Sequence, residues 1–119
     1  MDSARKMIYR RGDVLKLQFP RLDPRRGPKK RYALVLSSDE YNRNNDHGVL
    51  VAISTGVLNE QETGVYQIGD WRGSGLDHES MVVPWLYTLE WSVVIEKAGE
   101  LAPHEFRQAL QRLRQVVEI

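Results

Sequence analysis

The chain has 119 residues, of which 41% are hydrophobic and 28% charged, and it contains no cysteine. That is one domain's worth of chain with a modest core, and it excludes a disulfide framework and a thiolate metal site. The formal net charge of +1 conceals a division: eleven basic residues stand against three acidic through Arg31 (net +8), and six against thirteen after it (net −7). Such polarity points to an anionic partner for one face. The competing reading is a solvated basic loop folded back on an acidic surface. No stretch approaches the roughly 18–20 apolar residues of a membrane span. The segment Met1–Lys6 lacks the apolar core of a secretion signal. The expectation is a soluble, cytoplasmic, single-domain protein with no membrane association.

Residues 1–10 are polar and basic and read as a flexible arm, leaving 11–119 as the single domain. Leu15, Leu17 and Phe19 alternate with Lys16 and Gln18, the period-two pattern of a half-buried strand, and Pro20 stops it. Residues 20–30 hold three prolines, a glycine and five basic residues, so they form neither helix nor strand. A loop of that length in a compact domain tends to be functional, and its charge suits phosphates. Lys29, Lys30 and Arg31 then lead into Tyr32–Leu36 and a polar stop at Ser37. A continuous apolar run of this kind reads as a central strand buried on both faces. Arg31 stands at its mouth, where a rigid element can hold a cation against an anion with little reorganisation. The plainer reading is a solvated strand end.

Asp39–Asn42 fits one helical turn, and Arg43–Gly48 is an Asn-rich turn. Gly48–Ile53 is a second apolar run, ending at Ser54 and Thr55. Read as the antiparallel neighbour of the Arg31 strand, it brings Ser54 and Thr55 beside Arg31. Residues 57–79 look irregular apart from a short strand near Gly64–Ile68. The Gly-rich tract Trp71–Gly75 lacks the Gly-Lys-Ser/Thr of a phosphate-cradling loop. Ser80–Val83 and Trp85–Leu89 read as strand interrupted by Pro84, implying an edge, a bulge or a bend. Trp91–Ile95 suggests another short strand before Gly99. Pro103 opens a helix whose apolar stripe runs through Phe106, Ala109, Leu110, Leu113, Val116 and Val117, with Leu101 and Phe106 placed as a hydrophobic staple. The stripe reads as core packing on the sheet rather than as a partner-binding face.

With these pieces in place the chain resembles the MazF/PemK (Kid) family of toxin endoribonucleases. The matching residues are Gly12-Asp13-Val14 with Phe19, Arg31–Ser37 with Tyr41-Asn42, and Val51–Thr55. Gly75-Leu76 with Ser80, Thr88–Trp91 and Gly99–Leu101 complete the set. The resemblance implies a mainly β domain with a C-terminal helix (α+β), an SH3-like small barrel of antiparallel strands shared by MazF, Kid and CcdB. It implies a homodimer that cleaves single-stranded RNA without metal or other cofactor and is neutralised by a cognate antitoxin. Carried over by position, Arg31 and Ser54 are the catalytic residues. Arg25, Arg26, Lys29, Lys30 and Thr55 are read as RNA-binding from their charge and placement.

The chain also departs from the family pattern. Tyr32 stands where the family usually has proline, Pro24-Arg25-Arg26 replaces a Gly-x-Glu, and Pro84-Trp85 and Tyr87 replace an Asp-Gln and an arginine. Arg31 can stabilise a phosphorane as a bidentate donor, but no general base is evident. His47 beside Asp46 and His78 are the histidines weighed for that task. A turn histidine is more often simply exposed, and neither is assigned a role. Two other readings stay open: a catalytically lapsed relative that only binds RNA or antitoxin, and a CcdB-like gyrase poison. The latter family relies on a C-terminal Trp-Gly-Ile, whereas this chain ends Val117-Glu118-Ile119.

Overall fold

The structure, a computed structural model, describes residues 8–19, 25, 29–55 and 61–118. Its strands are β1 (Asp13–Phe19), β2 (Lys29–Val35), β3 (His47–Ser54), β4 (Tyr66–Gln67), β5 (Met81–Glu90) and β6 (Val94–Glu100). Its helices are α1 (Asp39–Asn44) and α2 (Pro103–Leu113). All strand pairs are antiparallel, in the order β4-β5-β3-β2-β1-β6. The sheet curls into a half-barrel with α2 against it, the mainly β fold with a C-terminal helix expected from the family pattern.

The two central strands are β2 and β3, and both faces of β2 are covered where the apolar run demands it. On one face Val14, Leu34, Val51 and Ile53 meet Ala109 and Leu113 of α2, together with Leu76 and Leu101. On the other, Leu15, Leu17, Ala33, Val35 and Leu50 form a second layer with Tyr9. Leu15, Leu17, Leu34 and Leu50 are fully buried, each contributing about 1.5–3 kcal/mol over an exposed position. Tyr9 is 8% exposed and its ring lies 5.1 Å from that of Trp91. The packed domain thus includes Tyr9, inside the stretch expected to be an arm; residues 1–7 lie outside the described residues.

Ser38 caps α1 through the Tyr41 amide (3.1 Å), and the helix runs to Asn44 instead of stopping after one turn at Asn42. Buried Asn42 explains the extra length. Its side chain bonds the Ser37 hydroxyl at 2.5 Å and the Ser37 carbonyl at 3.1 Å, fastening the β2–β3 connection. Pro84 does not interrupt β5. The ladder with β3 jumps from Val51–Leu86 to Ile53–Val82, so the proline sits in a bulge where no ladder N–H is required. The strand expected at Trp91–Ile95 is displaced. Trp91–Val93 form a 3₁₀ turn anchored by the Trp91 amide on the Asp46 carbonyl (2.9 Å), and β6 then continues through Gly99 to Glu100.

Gly99 does not end the strand because it is where a loop crosses β6 backbone to backbone. A Cβ on Gly99 would lie 2.4 Å from the Ser74 carbonyl oxygen, and one on Gly75 would lie 2.1 Å from that of Ala98. Gly75 also has φ +86°, where a side chain adds roughly 1–2 kcal/mol of strain. Gly75→Ala is therefore expected to lower stability by more than the strain alone, read as a reduced urea midpoint with an unchanged m-value.

Candidate functional site

The sheet opens at one place among its central strands. β2 and β3 pair as far as Tyr32–Ile53 and then part. β2 continues alongside β1 as far as Lys29, opposite Phe19. β3 continues alongside β5 as far as Ser54, opposite Met81. The fork between them holds a cleft of about 420 Å³, within the usual range for a ligand site. Lys29, Lys30 and Arg31 form one prong, Ser54 and Thr55 the other, and Tyr32 and Ile53 the base. Asp77 and His78, from the irregular segment before β5, complete the wall.

The fork follows from composition as well as topology. Ala33–Val35 are buried in both layers, whereas Lys29, Lys30 and Arg31 are exposed. Three consecutive cations cannot enter a core without partners, so the strand leaves the sheet centre where they begin. The result is a rigid platform that carries positive charge at an opening.

Of the residues expected to form the site, Arg31, Ser54, Lys29, Lys30 and Thr55 line this one cleft. Arg25 is exposed and lies outside the cleft lining, and Arg26 is outside the described residues. His47 is at the opposite end of β3, seven residues or about 23 Å from Ser54 at strand rise. There its ring bonds Asp46 (3.1 Å) and the Tyr41 hydroxyl (2.6 Å). His78, in contrast, is in the cleft wall.

Sequence reasoning missed a contact inside the cleft. The Tyr32 hydroxyl donates to Asp77 Oδ2 at 2.9 Å. Burial first, then the Asp77 hydrogen bond and charge and the charge of Glu96, push the phenol's pKa above its ordinary value. Tyr32 therefore stays protonated and keeps donating across the physiological range. The signal available in the sequence was the departure at Tyr32 itself, a hydroxyl where the resemblance calls for proline. Nothing in the sequence placed Asp77 opposite it.

The cleft thus combines a fixed-charge planar donor, two flexible cations, two aliphatic hydroxyls, a phenol bonded to a carboxylate, and an imidazole. Arginine offers a bidentate fork to phosphate, and the hydroxyls can donate to or accept from a bound ligand. Among the described residues, no group of three or more His, Cys, Asp or Glu side chains is gathered to hold a metal ion. Also among the described residues, no helix is long and apolar enough to cross a membrane.

Comparison with known proteins agrees with this architecture. Residues 10–117 match the family model for the PemK-like, MazF-like toxin of type II toxin-antitoxin systems. Among solved structures, the MazE–MazF complex of Deinococcus radiodurans superposes with a TM-score of 0.78 at 16% identity, over 96% of this chain and 99% of that one. An endoribonuclease bound to its cognate antitoxin, from a mycobacterial species, gives 0.73 at 17% identity over 93% and 96%. The Mycobacterium tuberculosis toxin MazF-mt6 gives 0.70 at 16% identity over 90% and 97%. These are likenesses of fold. No match is found among curated proteins by sequence.

Proposed function

The chain belongs to the PemK-like, MazF-like toxin family of type II toxin-antitoxin systems, and on that premise we propose that it is an endoribonuclease of single-stranded RNA. It cuts without metal or other cofactor, works as a homodimer in the cytoplasm, and is held inactive by a cognate antitoxin protein. The observation that carries this reading is the fork cleft, where Arg31, Ser54 and Thr55 from two parting strands face one opening beside Lys29 and Lys30. The solved complexes of a MazF with MazE and of an endoribonuclease with its antitoxin support the antitoxin partner.

In this reaction the ribose 2′-oxygen attacks the adjacent phosphorus and the 5′-oxygen leaves, giving a 2′,3′-cyclic phosphate and a 5′-hydroxyl. Negative charge grows on the non-bridging oxygens of the phosphorane. Arg31 meets that charge with its planar fork, held on β2 where it still pairs with β1, so little reorganisation is needed as the charge develops. Ser54 donates a hydrogen bond to a non-bridging oxygen, and Thr55 contacts the strand beside it. Lys29 and Lys30 hold flanking phosphates.

Incubating the purified protein at micromolar concentration with a long unstructured RNA tests the reading. Fragments ending in cyclic phosphate support it. Binding without fragments would replace it by the lapsed, binding-only relative. Phosphate contacts have their own signature, since each one neutralised on a single strand contributes about −0.7 to the slope of log affinity against log salt. Lys29→Ser with Lys30→Ser should flatten that slope by about 1.4 if each lysine holds one phosphate. Arg107→Ser with Arg112→Ser, on the exposed side of α2, should leave it unchanged. Equal slopes for the wild type and the double lysine variant would mean that the basic strand end serves something other than RNA.

A further inference from the structure

We propose that His78 is the general base that takes the 2′-hydroxyl proton in this cleft, an assignment that rests on the ribonuclease reading above. Cleavage needs such a base, and the cleft has few groups able to serve. Lysine and arginine side chains are protonated near neutrality as residue types, which removes Lys29, Lys30 and Arg31. Ser54 and Thr55 carry neutral hydroxyls. Tyr32 is protonated and donates its hydrogen to Asp77, and carboxylates are as a residue type much weaker bases than imidazole. His78 remains, and histidine is the residue type whose charge changes between pH 5 and 8.

The local structure holds His78 in place from two directions. On one side the neighbouring Asp77 is tied to β2 through the 2.9 Å bond from Tyr32. On the other, the Ser80 hydroxyl donates to the His78 carbonyl at 2.7 Å, and Ser80 is only 1% exposed. The Ser80 carbonyl in turn accepts from the Ile68 amide at 3.0 Å. Upstream, the same segment is pressed against β6 at Gly75. The imidazole therefore sits on a segment fastened to β2, to the start of β5 and to β6, which is what a base needs for fixed geometry. The charged groups that line the same cleft are Lys29, Lys30 and Arg31 from β2, with Asp77 and Glu79 beside His78 in the chain.

In the step itself an imidazole nitrogen takes the 2′-hydroxyl proton as the 2′-oxygen bonds to phosphorus. The bond between phosphorus and the 5′-oxygen then breaks, and the departing oxygen takes a proton from water. The hydroxide left behind takes the imidazolium proton, which restores His78.

The test uses the full chain, a long unstructured RNA for cleavage, and the same RNA with every ribose 2′-O-methylated for binding. For wild type, the cleavage rate should rise with pH through the inflection that a general base imposes. His78→Ala should lower the rate by a factor of about 10²–10⁴, lose that inflection, and leave affinity for the methylated RNA unchanged. Added imidazole should restore part of the rate to His78→Ala. His78→Gln should behave like His78→Ala, because its amide does not titrate; the exposed side chain makes both substitutions compatible with folding. If wild type and His78→Ala cut equally fast with the same pH profile, His78 is not the base and the ribonuclease reading stands without it. If wild type binds methylated RNA yet leaves the unmodified RNA intact, the ribonuclease reading falls and this inference falls with it.

Discussion

Arg31→Ala is expected to reduce RNA cleavage by about 10²–10³, the usual loss when one preorganised donor to a developing oxyanion is removed. The side chain is exposed at the fork, so its loss leaves both apolar layers untouched and thermal melting should be unchanged. Arg31→Lys should recover little, because a point charge on a flexible stem cannot reproduce two parallel N–H bonds to a phosphate. Single-turnover cleavage of a labelled RNA measures both. Affinity for a 2′-O-methylated RNA should fall much less than the rate, since the donor acts mainly on charge that appears in the transition state. Equal cleavage by Arg31→Ala and wild type would remove Arg31 from the mechanism, whatever else lines the cleft.

The second large effect is expected outside the cleft lining, at Glu105. This carboxylate is 3% exposed in the first turn of α2. It accepts from the Tyr66 hydroxyl (2.6 Å), the Gly69 amide (2.6 Å) and the Asp70 amide (3.1 Å). Burial by itself would raise the pKa of Glu105. The bonds from Tyr66, Gly69 and Asp70 and the nearby His104 outweigh it, leaving the carboxyl below its ordinary value. Glu105→Leu strands three donors, each worth about 1–3 kcal/mol when left unsatisfied, so a loss of several kcal/mol is expected.

The pH dependence of the same site has a definite sign. A carboxyl with a depressed folded-state pKa contributes stability that is fully present above its ordinary value and disappears as pH falls through the folded value. The destabilisation of Glu105→Gln relative to wild type should therefore be larger at pH 7 than at pH 3, as read from urea midpoints at each pH. A difference independent of pH would show that the ionised form plays no part.

How much of this could be read beforehand depended on periodicity. β1, β2, β3 and α2 announced themselves because their apolar residues repeat at the spacing of a strand or helix packed on a core. Reading Gly48–Ile53 as the partner of the Arg31 strand was enough to put Ser54 and Thr55 beside Arg31 before any coordinates. The placement of Asp77 and His78 in the cleft was out of reach, since residues 57–79 have no period and their path is set by long-range contacts such as Tyr32 with Asp77. The role of Glu105 was equally hidden, because nothing local marks Tyr66 and Gly69 as its partners. Gly99 misled in the opposite direction. A glycine suggests a strand end, yet here it stays inside β6 because the Ser74 carbonyl passes too close for any side chain.

The place of β1 in the sheet also fixes when the fork can take its shape. β1 lies between β2, which follows it closely, and β6, with Lys16 opposite Glu96 and the Gly12 carbonyl accepting from the Leu101 amide at 2.9 Å. Those partners are about 80 residues later in the chain, which at 5–20 residues per second means roughly 4–16 s of further synthesis. Until then the outer edge of β1 has no partner strand, and the α2 residues that cover Leu34 and Val51 have not been made. Pairing over so long a separation is also intrinsically slow. The strands of the fork therefore leave the ribosome well before the β6 and α2 residues that support them. The sheet acquires its closed shape only once β6 and α2 have both been made.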